Sequence, residues 1–171
     1  TSGQTQVVSN VEVNGLNLGV LTDNPELFQR ISLDGRVDLE GDEAENLIVG
    51  MNANISQFGF NGYNFSNIQT NANYGLNLFE GNIEIDDPNL ILKAGGTVNL
   101  EESVDSIRLA IELDSVALQA INLTEKEASL SGFIELDTKG ITLDDLEGIG
   151  RFQGLKASYD GRFLDIGDFY F

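Results

Sequence analysis

The chain has 171 residues, 41% of them hydrophobic, which is enough for one domain or for two halves that share a core. It contains no histidine and no cysteine, and this excludes zinc sites of the usual kind, Ser/His and Cys/His nucleophile pairs, and disulfides. A formal net charge of −19 repels phosphate, so we expect no nucleic-acid partner. Any lipid would have to be held by apolar contacts.

Apolar and polar residues alternate in segment after segment, which predicts β-strands with one apolar face. Asn61-Gly62 and Asp160-Gly161 predict two-residue hairpin turns, because both central residues of such turns need a positive φ. The run from Asp86 to Asn89 predicts a further turn. The predicted strands cover 11–13, 32–41, 47–56, 68–74, 79–85, 90–100, 107–113 and 129–140.

Two short helical insertions are also expected. The first covers 23–31, where Asp23 or Asn24 would cap a turn that begins at Pro25. The second covers 142–147 and would be capped by Thr142. Each insertion is short enough to serve only as a plug or a lid at an open end of the sheet.

The chain repeats its own strand pattern. We therefore expect a single β-rich segment over 1–171, part of a larger protein, that is built from two similar units at roughly 11–68 and 116–169. The matching pairs are VEVNGLNL (11–18) with VALQAINL (116–123), SLDGRVDLEG (32–41) with SLSGFIELDTKG (129–140), and FNGYNF (60–65) with YDGRFL (159–164).

The pattern predicts an antiparallel rather than a parallel sheet, because continuous apolar runs and crossover helices are missing. Such a sheet hides its apolar face by pairing with a second sheet, by closing into a barrel, or by curling into a trough. The chain has no tryptophan, and its inward positions are mostly aliphatic, which favours a smooth lining. We predict an all-β fold: a long antiparallel curled sheet, or open trough, of two similar units with short helical insertions.

Acidic residues are the other conspicuous feature of the sequence. The clusters at 42–45, Asp86-Asp87 and Asp144-Asp145 lack the spacing of a calcium loop, which indicates solvated turns. A glycoside hydrolase would need two facing carboxylates, but 28 acidic residues supply such a pair by chance. We predict no enzyme activity, no metal and no cofactor.

The strand motifs, and in particular the run from Ile83 to Leu90 (IEIDDPNL), resemble the TamB translocation and assembly family in its Bacteroidetes form. The resemblance extends over 15–171. It implies an AsmA-like protein of a Gram-negative bacterium that is anchored in the inner membrane, spans the periplasm, and curls its strands into an apolar "taco". Such proteins are implicated in outer-membrane protein assembly with an outer-membrane partner, and in moving phospholipid between membranes. The family has no catalytic motif to transfer.

Under this interpretation the apolar face binds phospholipid acyl chains. Alternation does not distinguish such a groove from a dry core, and two alternatives stay open. One is a surface-exposed β-sandwich adhesin or partner-binding module with a closed core, and the other is a scaffold whose strand edges pair with nascent outer-membrane β-strands. The predicted groove-lining residues are Leu33, Val37, Leu39, Val49, Met51, Ile55, Ile83, Ile85, Leu92, Val98, Leu100, Leu109, Ile111, Leu113, Leu130, Ile134 and Leu136.

Overall fold

A computed structural model of the chain describes residues 6–41, 46–101, 105–140 and 147–170. The described residues form strands almost throughout, with one helical turn, α1. The elements in chain order are β1 (Gln6–Asn17), α1 (Leu18–Leu21), β2 (Phe28–Glu40), β3 (Ile48–Phe60), β4 (Tyr63–Phe65), β5 (Ile68–Gly75), β6 (Leu78–Asp87), β7 (Leu90–Asn99), β8 (Ser106–Ala117), β9 (Ala128–Lys139), β10 (Glu147–Tyr159) and β11 (Arg162–Tyr170).

All strands belong to one antiparallel meander in the order β1-β2-β3-β5-β6-β7-β8-β9-β10-β11. The short β4 lies off this path and pairs with the end of β3, next to the stretch of β3 that pairs with β5. Asn67, at φ 51°, separates β4 from β5, so the two behave as one strand with a kink. The sheet is not closed, and β1 and β11 are its edges.

Turn chemistry explains the hairpins. Asn61 and Gly62 have φ of 48° and 76°, and Asp160 and Gly161 have φ of 50° and 74°, which confirms both predicted hairpin turns. The predicted turn at Asp86–Asn89 joins β6 to β7. A further tight turn at 76–77 was not predicted, because its first residue is a leucine at φ 52°, a conformation that leucine rarely adopts.

The predicted helix at 23–31 is wrong. The helical turn lies earlier, at Leu18–Leu21, where the side chain of Asn17 accepts a 3.3 Å hydrogen bond from the N–H of Val20. Residues from Phe28 onward extend as β2, because Ile31 and Phe28 pair with aromatic residues of β3. The predicted insertion at 142–147 lies almost entirely outside the described residues.

The echoed sequence segments occupy corresponding elements. The segment 32–41 lies in β2 and 129–140 in β9, while 11–18 and 116–123 each include a strand end and the turn after it. The segments 60–65 and 159–164 form the two hairpins with turns at Asn61-Gly62 and Asp160-Gly161. The division into two similar units stays a prediction.

The sheet buries one face more than the other, although no second sheet is present among the described residues. The chain exposes 11323 Å², whereas a compact protein of 18.6 kDa exposes about 8,200 Å². A closed sandwich would lie near the smaller area. The predicted all-β fold, an open curled antiparallel sheet, is confirmed. No helix in the described ranges is long and apolar enough to cross a membrane.

Candidate functional site

The apolar face is built from four rows of side chains that run across the strands. Residues directly opposite each other in antiparallel strands lie on the same face, so the pairing register defines each row. We number the rows from one end of the strands to the other. Row one contains Val13, Leu33, Ile55, Ile68, Ile85, Leu92, Leu113 and Gly132.

Row two crosses from edge to edge of the sheet. With ten strands about 4.8 Å apart, it is about 43 Å long. The hydrocarbon core of a bilayer, about 30 Å thick, holds two acyl chains end to end, so this row is longer than one acyl chain. Row two contains Val11, Gly35, Ala53, Thr70, Ile83, Ala94, Ile111, Ile134, Phe152 and Phe169.

Rows three and four lie toward the other strand ends. Most residues of both rows are apolar. The face is therefore apolar from row one to row four, that is, along most of each strand. Row three contains Ser9, Val37, Met51, Ala72, Gly81, Gly96, Leu109, Leu136 and Gly150. Row four contains Val7, Leu39, Val49, Tyr74, Phe79, Val98, Ile107, Thr138 and Gly148.

The centre of row three has almost no side chains. Ala72, Gly81 and Gly96 are consecutive members of the row, on β5, β6 and β7. A Cβ placed on Gly96 would lie 2.0 Å from the carbonyl oxygen of Arg108, so the neighbouring strand leaves no room for one. The small residues separate the larger side chains of Met51 and Leu109 in the row, and Ala72 among them is 9% exposed.

The structure brings the predicted groove-lining residues to this one face, except Leu100, which follows the last residue of β7 and is 44% exposed. Leu130 lies beyond row one, opposite Val116 of β8, and the others belong to the four rows. The prediction omitted several residues of the same face that the same alternation could have supplied. These are Ala53, Ile68, Thr70, Ala72, Tyr74, Phe79, Ala94, Ile107, Phe152 and Phe169.

The face is divided into a packed half and an open half. Row one lies in the packed half, where Ile68, Ile85 and Leu113 are 3%, 8% and 9% exposed. The turn after β8 covers them with Ile121, which is 4% exposed. The packed cluster comprises Phe65, Ile68, Ile85, Leu113, Val116 and Ile121, with Ile55, Phe58, Phe60, Tyr63, Ile83, Leu90, Leu92, Ile111, Leu118 and Leu130 around it.

Rows three and four form the open half. None of their members belongs to the packed cluster, and Tyr74 and Phe79 of row four are 44% and 42% exposed. Val37, Met51 and Leu109 of row three are partly exposed, whereas Ala72 of row three and Thr138 of row four are buried at 9% and 3% exposure. The open half therefore offers aliphatic and aromatic surface to a ligand.

A buried carboxylate holds the packed half together. Asp87, at the end of β6, is 2% exposed and accepts hydrogen bonds from the Tyr63 hydroxyl at 2.7 Å and from the Asn89 N–H at 2.9 Å. Ser66 donates to it twice, from its N–H at 3.0 Å and its hydroxyl at 2.9 Å. These bonds tie the kink between β4 and β5 to the β6–β7 turn.

The same contacts set the pKa values of the network. Burial acts to raise the pKa of Asp87, but the hydrogen bonds from Tyr63, Asn89 and Ser66 together lower it below its ordinary 3.8. Burial, followed by the hydrogen bond to Asp87, raises the pKa of Tyr63. Because donors surround both oxygens of the carboxylate, we assign it a structural role.

The opposite face of the sheet is polar and carries cross-strand ion pairs. Examples are Lys93 with Glu84 at 3.0 Å and Arg108 with Asp137 at 3.2 Å. All of these side chains are exposed, so water screens each pair and it adds little to stability. The described residues contain no group of three or more potential metal-ligating side chains.

The edge strand β11 exposes large apolar side chains on both of its faces. Phe163 is 70% exposed and Tyr170 is 84% exposed, and Leu164, Ile166 and Phe169 are also exposed. One side of this strand is free of backbone pairing in the sheet. A long, apolar, unpaired edge is a surface on which another strand can add.

No protein-family model, no curated protein and no solved structure matches this chain. The resemblance to the TamB family therefore rests on the strand motifs of the sequence.

Proposed function

We propose that the open half of the apolar face carries phospholipid acyl chains, in a periplasmic TamB-like protein anchored in the inner membrane. The observation that carries the proposal is a face that stays apolar from strand to strand, lies outside the packed cluster along rows three and four, and is exposed there at Tyr74 and Phe79 and partly exposed at Met51. In this proposal the role is non-enzymatic, and the surface serves as contact area for lipid. Its partners would be phospholipid and an outer-membrane assembly protein.

The energetics favour this use of the face. Each methylene that leaves water contributes about 0.8 kcal/mol, so an acyl chain gains from any continuous apolar strip and loses wherever the strip is interrupted. Ala72, Gly81 and Gly96 add no polar side chain between Met51 and Leu109, so row three stays apolar along this stretch. The net charge of −19 disfavours binding through anionic headgroups, so the tails would provide the affinity.

Binding of a fluorescent phosphatidylethanolamine to the 171-residue chain tests the proposal. Met51→Asp places a charge in row three, and Asn52→Asp places the same charge on the neighbouring residue, which faces the other way. We expect Met51→Asp to weaken binding at least tenfold and Asn52→Asp to leave it within twofold. Equal binding by both variants, or no binding by the unmodified chain, would refute the assignment.

The edge strand β11 supports a second candidate function, an assembly scaffold that pairs with nascent outer-membrane strands. Its exposed Phe163 and Tyr170 and its free backbone edge favour this use. Proline at those positions of β11 whose N–H points away from β10 would block pairing and leave the apolar face intact. Loss of outer-membrane protein assembly with lipid binding preserved would favour the scaffold.

A further inference from the structure

Two turns meet across the apolar face at the packed end of the strands. The hairpin tip between β3 and β4 contributes Asn61, and the turn between β8 and β9 contributes Asn122. Each side-chain amide donates to the backbone carbonyl of the other residue, Asn61 Nδ2 to Asn122 O at 2.9 Å and Asn122 Nδ2 to Asn61 O at 3.0 Å. We call this reciprocal pair the Asn61–Asn122 bridge.

The bridge is not a local contact. Its residues are 61 positions apart in sequence, and β5, β6 and β7 lie between their parent strands in the sheet. Both residues have a left-handed backbone, with φ of 48° and 62°, which asparagine tolerates better than most residues. The Asn61 N–H also donates to the Leu27 carbonyl at 2.7 Å, so the hairpin tip is held from its other side as well.

The turn that carries Asn122 also carries the apolar cover. Ile121 precedes it in sequence and packs with Phe65, Ile68 and Ile85, and it is 4% exposed. The hydrogen bond from the Leu123 N–H to the Leu118 carbonyl, at 2.8 Å, closes the turn on itself. The bridge thus lies beyond row one, at the outer end of the strands, and fixes the turn that covers row one with Ile121.

We propose that Ile121, held in place by the Asn61–Asn122 bridge, forms a wall over row one that bars acyl chains from row one and confines them to rows three and four. This inference rests on the proposed lipid-binding function. Without the wall, the aliphatic surface of row one would widen the strip, because Ile55, Ile85 and Leu113 continue the same face. With it, the bound lipid lies along one side of the face only.

Lipid photo-crosslinking tests the wall, with a diazirine-bearing aliphatic amino acid at Ile85, beneath the wall, or at Met51, in the open half. The test variant is the double substitution Asn61→Gly and Asn122→Gly, because glycine keeps the left-handed turns and removes only the bridging amides. Asn77→Gly is the matched control: it lies at a hairpin tip with φ 61° at the opposite ends of the strands.

We expect phospholipid on the Met51 probe and at most one tenth as much on the Ile85 probe, and at least a fivefold gain at Ile85 in the double-glycine variant. Asn77→Gly should leave the ratio unchanged. Equal labelling of both probes in the unmodified chain, or an Ile85 probe that stays unlabelled in the double-glycine variant, would overturn the wall. Absence of lipid from the Met51 probe would instead refute the proposed function itself. Circular dichroism of each variant verifies that the sheet is intact.

Discussion

Substitution of Asp87 by asparagine isolates the contribution of the buried carboxylate to the packed half. The change keeps the shape of the side chain and replaces one oxygen acceptor with an NH₂ donor. Four hydrogen bonds converge on the carboxylate, two on each oxygen. Whichever way the amide is turned, its NH₂ faces a backbone N–H, that of Ser66 or that of Asn89.

The magnitude follows from that conflict. A buried N–H left without an acceptor costs about 1–3 kcal/mol, and the remaining bonds lose the extra strength that an ionised acceptor gives. Part of this loss of stability is offset, because the neutral amide removes the cost of burying a charge. We expect Asp87→Asn to lower the free energy of unfolding by about 2–3 kcal/mol, which for a chain of this length lowers the Tm by about 4–12 °C.

Urea unfolding followed by circular dichroism measures this loss. Asp86→Asn is the matched control, because Asp86 is the preceding residue, is exposed, and lies opposite Ile91 in the ladder. We expect the control to change the free energy of unfolding by less than about 0.5 kcal/mol. An Asp87→Asn loss no larger than that of the control would refute the assignment of Asp87 as the structural centre of this end.

The same network makes stability depend on pH, and further predictions concern the rows and the edge. The pKa of Asp87 in the folded chain is lowered below 3.8, so its contribution to the free energy of unfolding is present above pH 3.8 and is lost as the pH falls through the folded pKa. The difference in stability between the unmodified chain and Asp87→Asn should therefore shrink in acid. Gly96→Ala should lower the free energy of unfolding by about 1–3 kcal/mol in the same urea assay, because its Cβ would lie 2.0 Å from a carbonyl oxygen. At Gly95 the nearest atom is 3.5 Å from the added Cβ, so Gly95→Ala should be tolerated. Phe163→Lys should reduce concentration-dependent self-association, measured by sedimentation, at least fivefold. Leu76→Lys, at a comparably exposed site away from the sheet edges, should leave self-association unchanged. Equal effects of the two substitutions would argue against edge pairing.

The strand alternation was sufficient to predict the sheet, its antiparallel order and the face on which the apolar residues lie. It worked because a period of two fixes the face of every residue once a strand forms. The helix at 23–31 failed for a related reason. Phe28 and Ile31 have a spacing that suits a helix face, and only their pairing with Phe60 and Phe58 of β3, more than 25 positions away, makes them strand residues.

The division of the apolar face could not be predicted from the sequence. Ile85 and Met51 look equivalent in their strands, yet one is packed beneath a turn and the other is partly exposed. The difference arises from contacts between distant segments, such as Asn61 with Asn122, which no local pattern encodes. The structural role of Asp87 could not be predicted either. The pair Asp86-Asp87 predicts a solvated turn, and this prediction is wrong for Asp87, which is buried.

The proposal that the open half of one face carries lipid is tested most directly on the protein in cells. A photo-crosslinking amino acid at Leu109 reports on row three, and the same probe at Ala110, the next residue of β8, reports on the opposite face. The account predicts phospholipid attached to the Leu109 probe and none above background at Ala110. Equal labelling at the two positions, or none at either, would contradict it.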